Sequence, residues 1–306
     1  MSPLTLPALT ANNLPIDTSE EAFGWLRSSE DLIGDPEALN ARLAEDGYLY
    51  IKNYLPQDIV QSARMSLLQR LSDGGFIDPE YPIEDGISNI ENKPKFMPNL
   101  ANPNPDVARV VFGPELTGFY AKLFGGPIRH FDYVWVRSLA KAVGTAPHCD
   151  LVYMGRGTHK LLTCWVPYGE VPLEQSPLVL LEGSHKQSDR IKNYLNGDVD
   201  TYCENHPKQV QKVKVDGGSH RSGWLSKNPI SLREKLGGRW LTAHFQPGDF
   251  LTFQMNMIHA SLDNQTNKVR LSTDTRYQLA SEPIDERWIG ENPPAHGLAG
   301  KRGLIC

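Results

Sequence analysis

The chain has 306 residues, 40% of them hydrophobic and 22% charged, with 26 glycines and 23 prolines, the composition of a globular protein long enough for one large core rather than a disordered, collagenous or coiled-coil chain. A net charge of −5 argues against nucleic-acid binding through a basic face, and no apolar run approaches the roughly 20 residues of a membrane helix. Cys149, Cys164, Cys203 and Cys306 are scattered with no CxxC, which points to neither a disulfide scaffold nor a zinc ribbon.

In chain order, residues 1–34 are irregular and read as an arm or cap, and Met1–Leu9 has no basic cluster followed by an apolar stretch, so no secretory leader is expected. A helix is predicted from Asp35-Pro36, with Asp35 as cap, Leu39 and Leu43 on one face and Gly47 as stop. A short strand follows at Tyr48–Ile51, then a helix over 56–73 burying Leu67, Leu68 and Leu71. Residues 76–108 are turn-rich and yield no assignment. Leu116, Phe119, Tyr120 and Leu123 have the i, i+3, i+4, i+7 spacing of a helix over Pro114–Phe124.

From residue 127 the texture changes to short β-like runs at Phe131–Val136, Leu161–Val166, Leu178–Leu181, Leu241–Phe245, Phe250–Met255 and Val269–Leu279. That pattern predicts an antiparallel barrel or sandwich. A polar insert at 186–240 carries one helix signal, Ser231-Leu-Arg-Glu234, with capping-box spacing. Helices first and strands later give an α+β fold with a mainly β core and the N-terminal helices packed on one face. The expected organisation is one domain over 35–306: a helical part at 35–126, a β core at 127–280 and a tail at 281–306.

The chemistry gathers around His148-Cys149-Asp150. On an extended segment residues i and i+2 point the same way, so the imidazole and the carboxylate could meet one cation. A second histidine from a distant strand would complete a triad of two His and one carboxylate, the ligand set of non-haem Fe(II) oxygenases. His259 is the best candidate, because it ends the strand that follows the turn Pro247-Gly248-Asp249. Eleven residues later comes Arg270-Leu271-Ser272, where Arg270, Ser272, Asp274 and Arg276 alternate with apolar Val269, Leu271 and Tyr277. This polar row either faces water or faces a barrel interior that holds a polar ligand. In the second case a guanidinium matches a carboxylate through its planar fork of donors.

These residues together resemble the phytanoyl-CoA dioxygenase (PhyH)-like family of Fe(II)- and 2-oxoglutarate-dependent oxygenases. The resemblance rests on His148-x-Asp150, the Pro247-Gly248-Asp249 turn, His259 and Arg270-x-Ser272. It is supported by Leu181-Glu-Gly-Ser-His185-Lys, by Trp165, and by Glu45-Asp-Gly-Tyr48 with Tyr50-Ile51. It spans residues 36–280, more weakly over 76–110 and 186–240. One departure is Ser176-Pro177-Leu178, where many relatives have Gly-Gly-Leu, which is read as an altered strand turn.

The resemblance implies a double-stranded β-helix, a jelly-roll or cupin-like barrel with the metal inside one end. It implies Fe(II) on His148, Asp150 and His259, and 2-oxoglutarate with its far carboxylate on Arg270, assisted by Ser272 or Ser261. Trp165 would line the co-substrate pocket, and Thr163 and Arg276 are further candidates; Arg276 could contact the ligand or pair with Asp274. With O2 as the other co-substrate, a small-molecule prime substrate would be hydroxylated with release of succinate and CO2. The carboxylate of Asp150 disfavours halogenation. Residues 76–110 and 186–240 would form the substrate mouth. The implied partners exclude nucleic acid and membranes, the chain would be a monomer or homodimer, and an ending in Gly-Leu-Ile-Cys306, unlike a peroxisomal signal, suggests the cytoplasm.

Two other readings use the same residues. The three ligands could hold zinc or another metal in a cupin-type hydrolase or isomerase, which gives Arg270 no role. A non-catalytic binding barrel would turn the polar row to solvent. Cys149 is read as packing, and His185 as a structural strand-end residue. His130, His159, His206, His220, His244 and His296 are read as surface or packing residues, and Lys208, Lys212, Lys214 and Arg221 as a solvated face.

Overall fold

The computed structural model describes residues 6–94, 97–219 and 221–306, so His220 lies outside the described residues. Most local signals act where the sequence places them. Asp35 accepts from the Ala38 N–H and Gly47 adopts φ 79°, closing the helix Pro36–Asp46 at both ends. Gly47 is required twice over, because a Cβ there would stand 2.5 Å from the His185 ring and from the Met257 methyl. The helices Gln57–Asp73 and Pro114–Phe124 bury the expected leucines and aromatics. Within the unassigned 76–108, Asn104 caps a further helix, Pro105–Val111, by accepting from the Val107 N–H at 3.2 Å.

Two expectations are corrected. The run at 131–136 is not one strand: Ile128–His130 and Trp135–Leu139 pair separately with Arg270–Leu279, and Phe131 lies between them. The insert helix starts at Pro229 rather than at Ser231, because the Asn228 side chain accepts from the Ile230 and Ser231 N–H groups. Asn followed by Pro supplies both the cap and the preset φ of the first helical residue.

The core strands form two sheets, and two short strand pairs lie outside them. The larger has the order Tyr48–Ile51, Phe250–Gln254, Leu162–Pro167, Arg270–Leu279, Ile128–His130, with Trp135–Leu139 also on Arg270–Leu279. The smaller runs His259–Ser261, Leu178–Leu181, Trp240–Thr242, Phe23–Trp25. From the N-terminal segment, Phe23–Trp25 adds a parallel edge strand to Trp240–Thr242. Strand parity sorts the layers. Leu162, Cys164, Val166, Leu271 and Tyr277 pack outward against the N-terminal helices. Trp165, Leu178, Leu180, Leu251 and Phe253 fill the space between the sheets. Val179 and Leu181 pack outward against the insert residues Leu232 and Leu236. Two sheets facing across a core, with the N-terminal helices on the larger sheet and the insert helix on the smaller, make a double-stranded β-helix of the α+β kind expected.

The insert and the tail are fastened together. Arg302–Leu304 pairs in parallel with Thr201–Cys203, and Cys203 is disulfide-bonded to Cys306, while Cys149 and Cys164 are buried and free. A pairing across 103 residues left no spacing signal in the sequence. Beside it, fully buried Asp200 accepts from Lys301 Nζ at 2.7 Å, lies 2.8 Å from His296 Nδ1 and is bonded by the Arg287 guanidinium. Arg287 also bonds Asp285 and donates to the Tyr153 carbonyl at 3.0 Å.

Burial opposes the Asp200 charge, but His296 and Lys301 outweigh it and hold the carboxyl down at about 2. A depressed carboxyl stabilises fully above its ordinary 3.8 and ceases to do so as pH falls through the folded value. Asp200→Asn should therefore cost about 2 kcal/mol of unfolding free energy at neutral pH. Urea unfolding at a series of pH values should show the gap to wild type shrinking between about pH 4 and pH 2; a gap independent of pH would contradict the assignment.

Candidate active site

His148 and His259 meet through the backbone. The His148 N–H donates to the His259 carbonyl at 3.0 Å and the His259 N–H returns the bond at 2.9 Å, an antiparallel bridge that sets the two rings 4.1 Å apart at their centroids. His259 opens the strand His259–Ser261 and is paired with Leu180 on its other side. Asp150 reaches the site differently from the extended geometry expected: its φ of −66° and ψ of −24° are helical, and it precedes the one-turn helix Leu151–Met154 without capping it through its side chain. The turn after Cys149 brings the carboxylate back toward the rings. Oδ1 lies 3.8 Å from His148 Nε2 and 3.6 Å from His259 Nε2, and one ligand atom from each residue falls within 4.8 Å of the others.

The second nitrogen of each ring fixes its protonation. His148 Nδ1 lies 2.9 Å from the Ala146 carbonyl and His259 Nδ1 lies 3.1 Å from the Met257 carbonyl. A carbonyl only accepts, so these partners assign the proton to Nδ1 and leave both Nε2 lone pairs facing Asp150. Burial, then the neighbouring His259, pushes the His148 pKa down to about 3, and burial lowers that of His259. Burial alone would raise the Asp150 carboxyl, but the Arg276 guanidinium above all holds it far below the usual range. Two neutral imidazoles and one carboxylate, all buried with their ligand atoms convergent, fit a divalent metal ion.

The polar row faces inward. Every residue of Arg270–Tyr277 is buried, and Arg270, Asp274 and Arg276 line the same narrow cavity as the triad. Arg270, 1% exposed, donates from Nη1 to the Ser176 carbonyl at 2.8 Å, while its Nε has no partner. Burial, then the charge of Arg137, lowers its pKa to about 9, and no carboxylate among the described residues forms an ion pair with it. A buried cation of this kind, pointing into a cavity beside three metal-ligand candidates, suits the free carboxylate of a small diacid. The solvent-facing row of a non-catalytic barrel is excluded.

The other candidates divide. Ser261 lines the cavity and its Oγ accepts from the Thr145 N–H at 2.7 Å. Ser272 is fully buried with its Oγ unpartnered, one step along the inner face from Arg270. Trp165 does not line the cavity; its ring lies beneath the Arg270 guanidinium, 5.7 Å from centroid to Cζ, and packs on Phe245. Arg276 does not pair with Asp274, because Asp274 bonds Arg137 at 2.5 Å and Arg276 bonds Asp150 at 2.8 Å. Thr163 also bonds Asp150, at 2.5 Å.

Sequence reasoning missed Arg137, Thr145, Leu178 and Ala260, which complete the lining. Arg137 was invisible because its place depends on pairing opposite Ser272, which no local pattern encodes. It also missed Tyr153, whose ring stands 5.5 Å from that of His148 and whose hydroxyl donates to Ser222 in the insert. Cys149 packs as expected, fully buried with its thiol toward the Asn256 carbonyl. His185 is structural, with Nε2 3.3 Å from the Ala44 carbonyl. His296, expected as a surface or packing residue, instead meets the Asp200 carboxylate, and Lys208, Lys212, Lys214 and Arg221 are exposed.

A family model described as phytanoyl-CoA dioxygenase (PhyH) matches residues 43–272. The chain is similar to a 1-deoxypentalenic acid 11-beta-hydroxylase from Streptomyces exfoliatus, 24% identical over 261 residues, covering 82% of this chain and 83% of the relative. A hydroxylase of the same description from Streptomyces arenae is 24% identical over 271 residues, covering 85% and 87%. Among solved structures, the epimerase SnoN in complex with Fe3+, alpha ketoglutarate and nogalamycin RO superposes with a TM-score of 0.53 at 20% identity, covering 82% of this chain and 86% of that one. EctD from S. alaskensis in its apoform gives 0.57 at 16% identity, covering 95% and 94%. The structural likenesses establish the double-stranded β-helix, and the family model spans most of the chain: it belongs to the phytanoyl-CoA dioxygenase (PhyH) family.

Proposed function

We propose that this member of the family, an Fe(II)- and 2-oxoglutarate-dependent oxygenase, holds its metal on His148, Asp150 and His259 and its co-substrate on Arg270. The observation that carries the reading is Arg270 itself, a buried guanidinium without a carboxylate partner in the cavity that holds the triad. A zinc hydrolase or isomerase on the same ligands leaves that cation unexplained. When bound, Fe(II) would supply oxidative chemistry with O2 as the oxidant, one oxygen atom passing to 2-oxoglutarate as it becomes succinate and CO2 and the other to the prime substrate as a hydroxyl.

The residues of the chain do the positioning. His148 and His259 present bare Nε2 atoms from a rigid backbone bridge, Arg270 offers its donor fork, and Ser261 or Ser272 adds a hydroxyl. Trp165 supports the Arg270 guanidinium from below rather than touching the co-substrate. The insert residues Ser222 and Leu225, bonded to Tyr153 and to the Pro147 carbonyl, form part of the substrate mouth.

The charge balance bears on the prime substrate. Arg137, Arg270 and Arg276 face Asp150 and Asp274 in the cavity, a surplus of one positive charge. A divalent metal and a dianionic co-substrate cancel, so the surplus persists and favours neutral or acidic small molecules over amines. Among the described residues no helix is long and apolar enough to cross a membrane. We place the protein in the cytoplasm, where reducing conditions would keep Cys203 and Cys306 as thiols. The paired strands and the Asp200 cluster would then hold the tail.

Anaerobic protein with Fe(II) and 2-oxoglutarate should develop a weak visible charge-transfer band. Asp150→Ala and His259→Ala should abolish it. Arg270→Ala should weaken 2-oxoglutarate binding by about 10- to 150-fold, the equivalent of about 1.5–3 kcal/mol for a buried charge-assisted contact. A wild-type band in all three variants refutes the site. Succinate release should rise with neutral or acidic metabolites in a screen and not with amines; stimulation by amines alone would reject the charge argument.

A further inference from the structure

The metal reading uses one oxygen of Asp150 and leaves the other to two side chains. Thr163 and Arg276 are directly opposite each other in the pairing of Leu162–Pro167 with Arg270–Leu279, so both emerge on the inner face at the same level. The Thr163 hydroxyl donates to Asp150 Oδ2 at 2.5 Å and Arg276 Nη2 donates to the same oxygen at 2.8 Å. The Arg276 guanidinium is itself held, 1% exposed and 4.0 Å over the ring of Trp135. Oδ1, which takes neither bond, is the oxygen that lies between the two Nε2 atoms.

Resting on the reading above, we propose that Arg276 and Thr163 are positioning residues that lock Oδ2, so that Asp150 offers the metal Oδ1 alone. A carboxylate free to turn about its Cβ–Cγ bond can present both oxygens and fill two positions. Locking one of them keeps a position open for the co-substrates, which is what distinguishes this ligand set from a closed structural site. Charge-assisted bonds at these distances are short and directional, and both come from the side away from the imidazoles. Arg276 thus serves the ligand rather than the co-substrate, although it lines the same cavity as Arg270.

Mn(II) binding to the full chain without 2-oxoglutarate, measured by calorimetry, tests the proposal, with the Co(II) absorption spectrum reporting coordination. Thr163→Val and Arg276→Ala should each weaken Mn(II) by about 10- to 100-fold, the usual effect of losing a partner that orients a ligand. Each should also change the Co(II) band pattern, and Arg276→Lys should recover part of the loss. The double variant should cost less than the product of the two, because both groups act on one oxygen. Thr163→Val removes only the hydroxyl, so it decides the matter if Arg276→Ala does not fold. A folded Thr163→Val with wild-type Mn(II) affinity and Co(II) spectrum overturns the proposal, as does an Arg276→Ala that weakens 2-oxoglutarate but not Mn(II). Wild-type protein that takes up no metal would instead remove the underlying site assignment.

Discussion

Asp150 carries a negative charge to a place only 3% exposed to water, and the fold around it is arranged to make that tolerable. An isolated buried carboxylate would take up a proton rather than remain ionised. Here a buried guanidinium and a hydroxyl bond one of its oxygens, and two uncharged imidazoles face the other. Those groups come from strands that are far apart in the chain. The central strand Arg270–Leu279 has to sit beside Leu162–Pro167 in one register for Arg276 and Thr163 to arrive together. The backbone bridge between His148 and His259 has to close at the same time.

The same strand explains why a sheet buried on both faces can contain so many polar residues. Its outward residues Leu271 and Tyr277 pack on the helical layer, and Tyr277 stacks on Tyr120 at 4.0 Å. Its inward residues are not solvated; they are neutralised in pairs, Arg137 with Asp274 and Arg276 with Asp150. Arg270 breaks the pattern, and that imbalance marks where a ligand belongs. Burying a cation without an anionic partner is costly, so its persistence in the interior is better explained by binding than by stability.

Much of this was legible in the sequence because its signals are local. Alternation from Val269 to Tyr277 separates two faces, the helical spacing from Leu116 to Leu123 marks a buried stripe, and the Asp35 cap is short-range chemistry. His148-x-Asp150 with His259 was readable as a ligand set, although the carboxylate converges through a helical turn rather than along a strand. What could not be read is cross-strand partnership. Nothing near Arg276 says that its anion lies 126 residues upstream at Asp150 rather than two residues away at Asp274. The Asp200 cluster and the link between Cys203 and Cys306 fail to show for the same reason, since each joins the insert to the tail over about a third of the chain.

The parity of Arg270–Leu279 has an evolutionary corollary. Because alternate residues serve the helical layer and the cavity, a single inserted or deleted residue would exchange the two sets, setting arginines against leucines and leucines around the ligand atoms. Folding and chemistry would be lost in one step, with no viable intermediate between them. Length variation among descendants of such a chain is therefore confined to connecting segments such as 186–240, and novelty in what these proteins accept has to arise there, while the strand itself remains a fixed ruler.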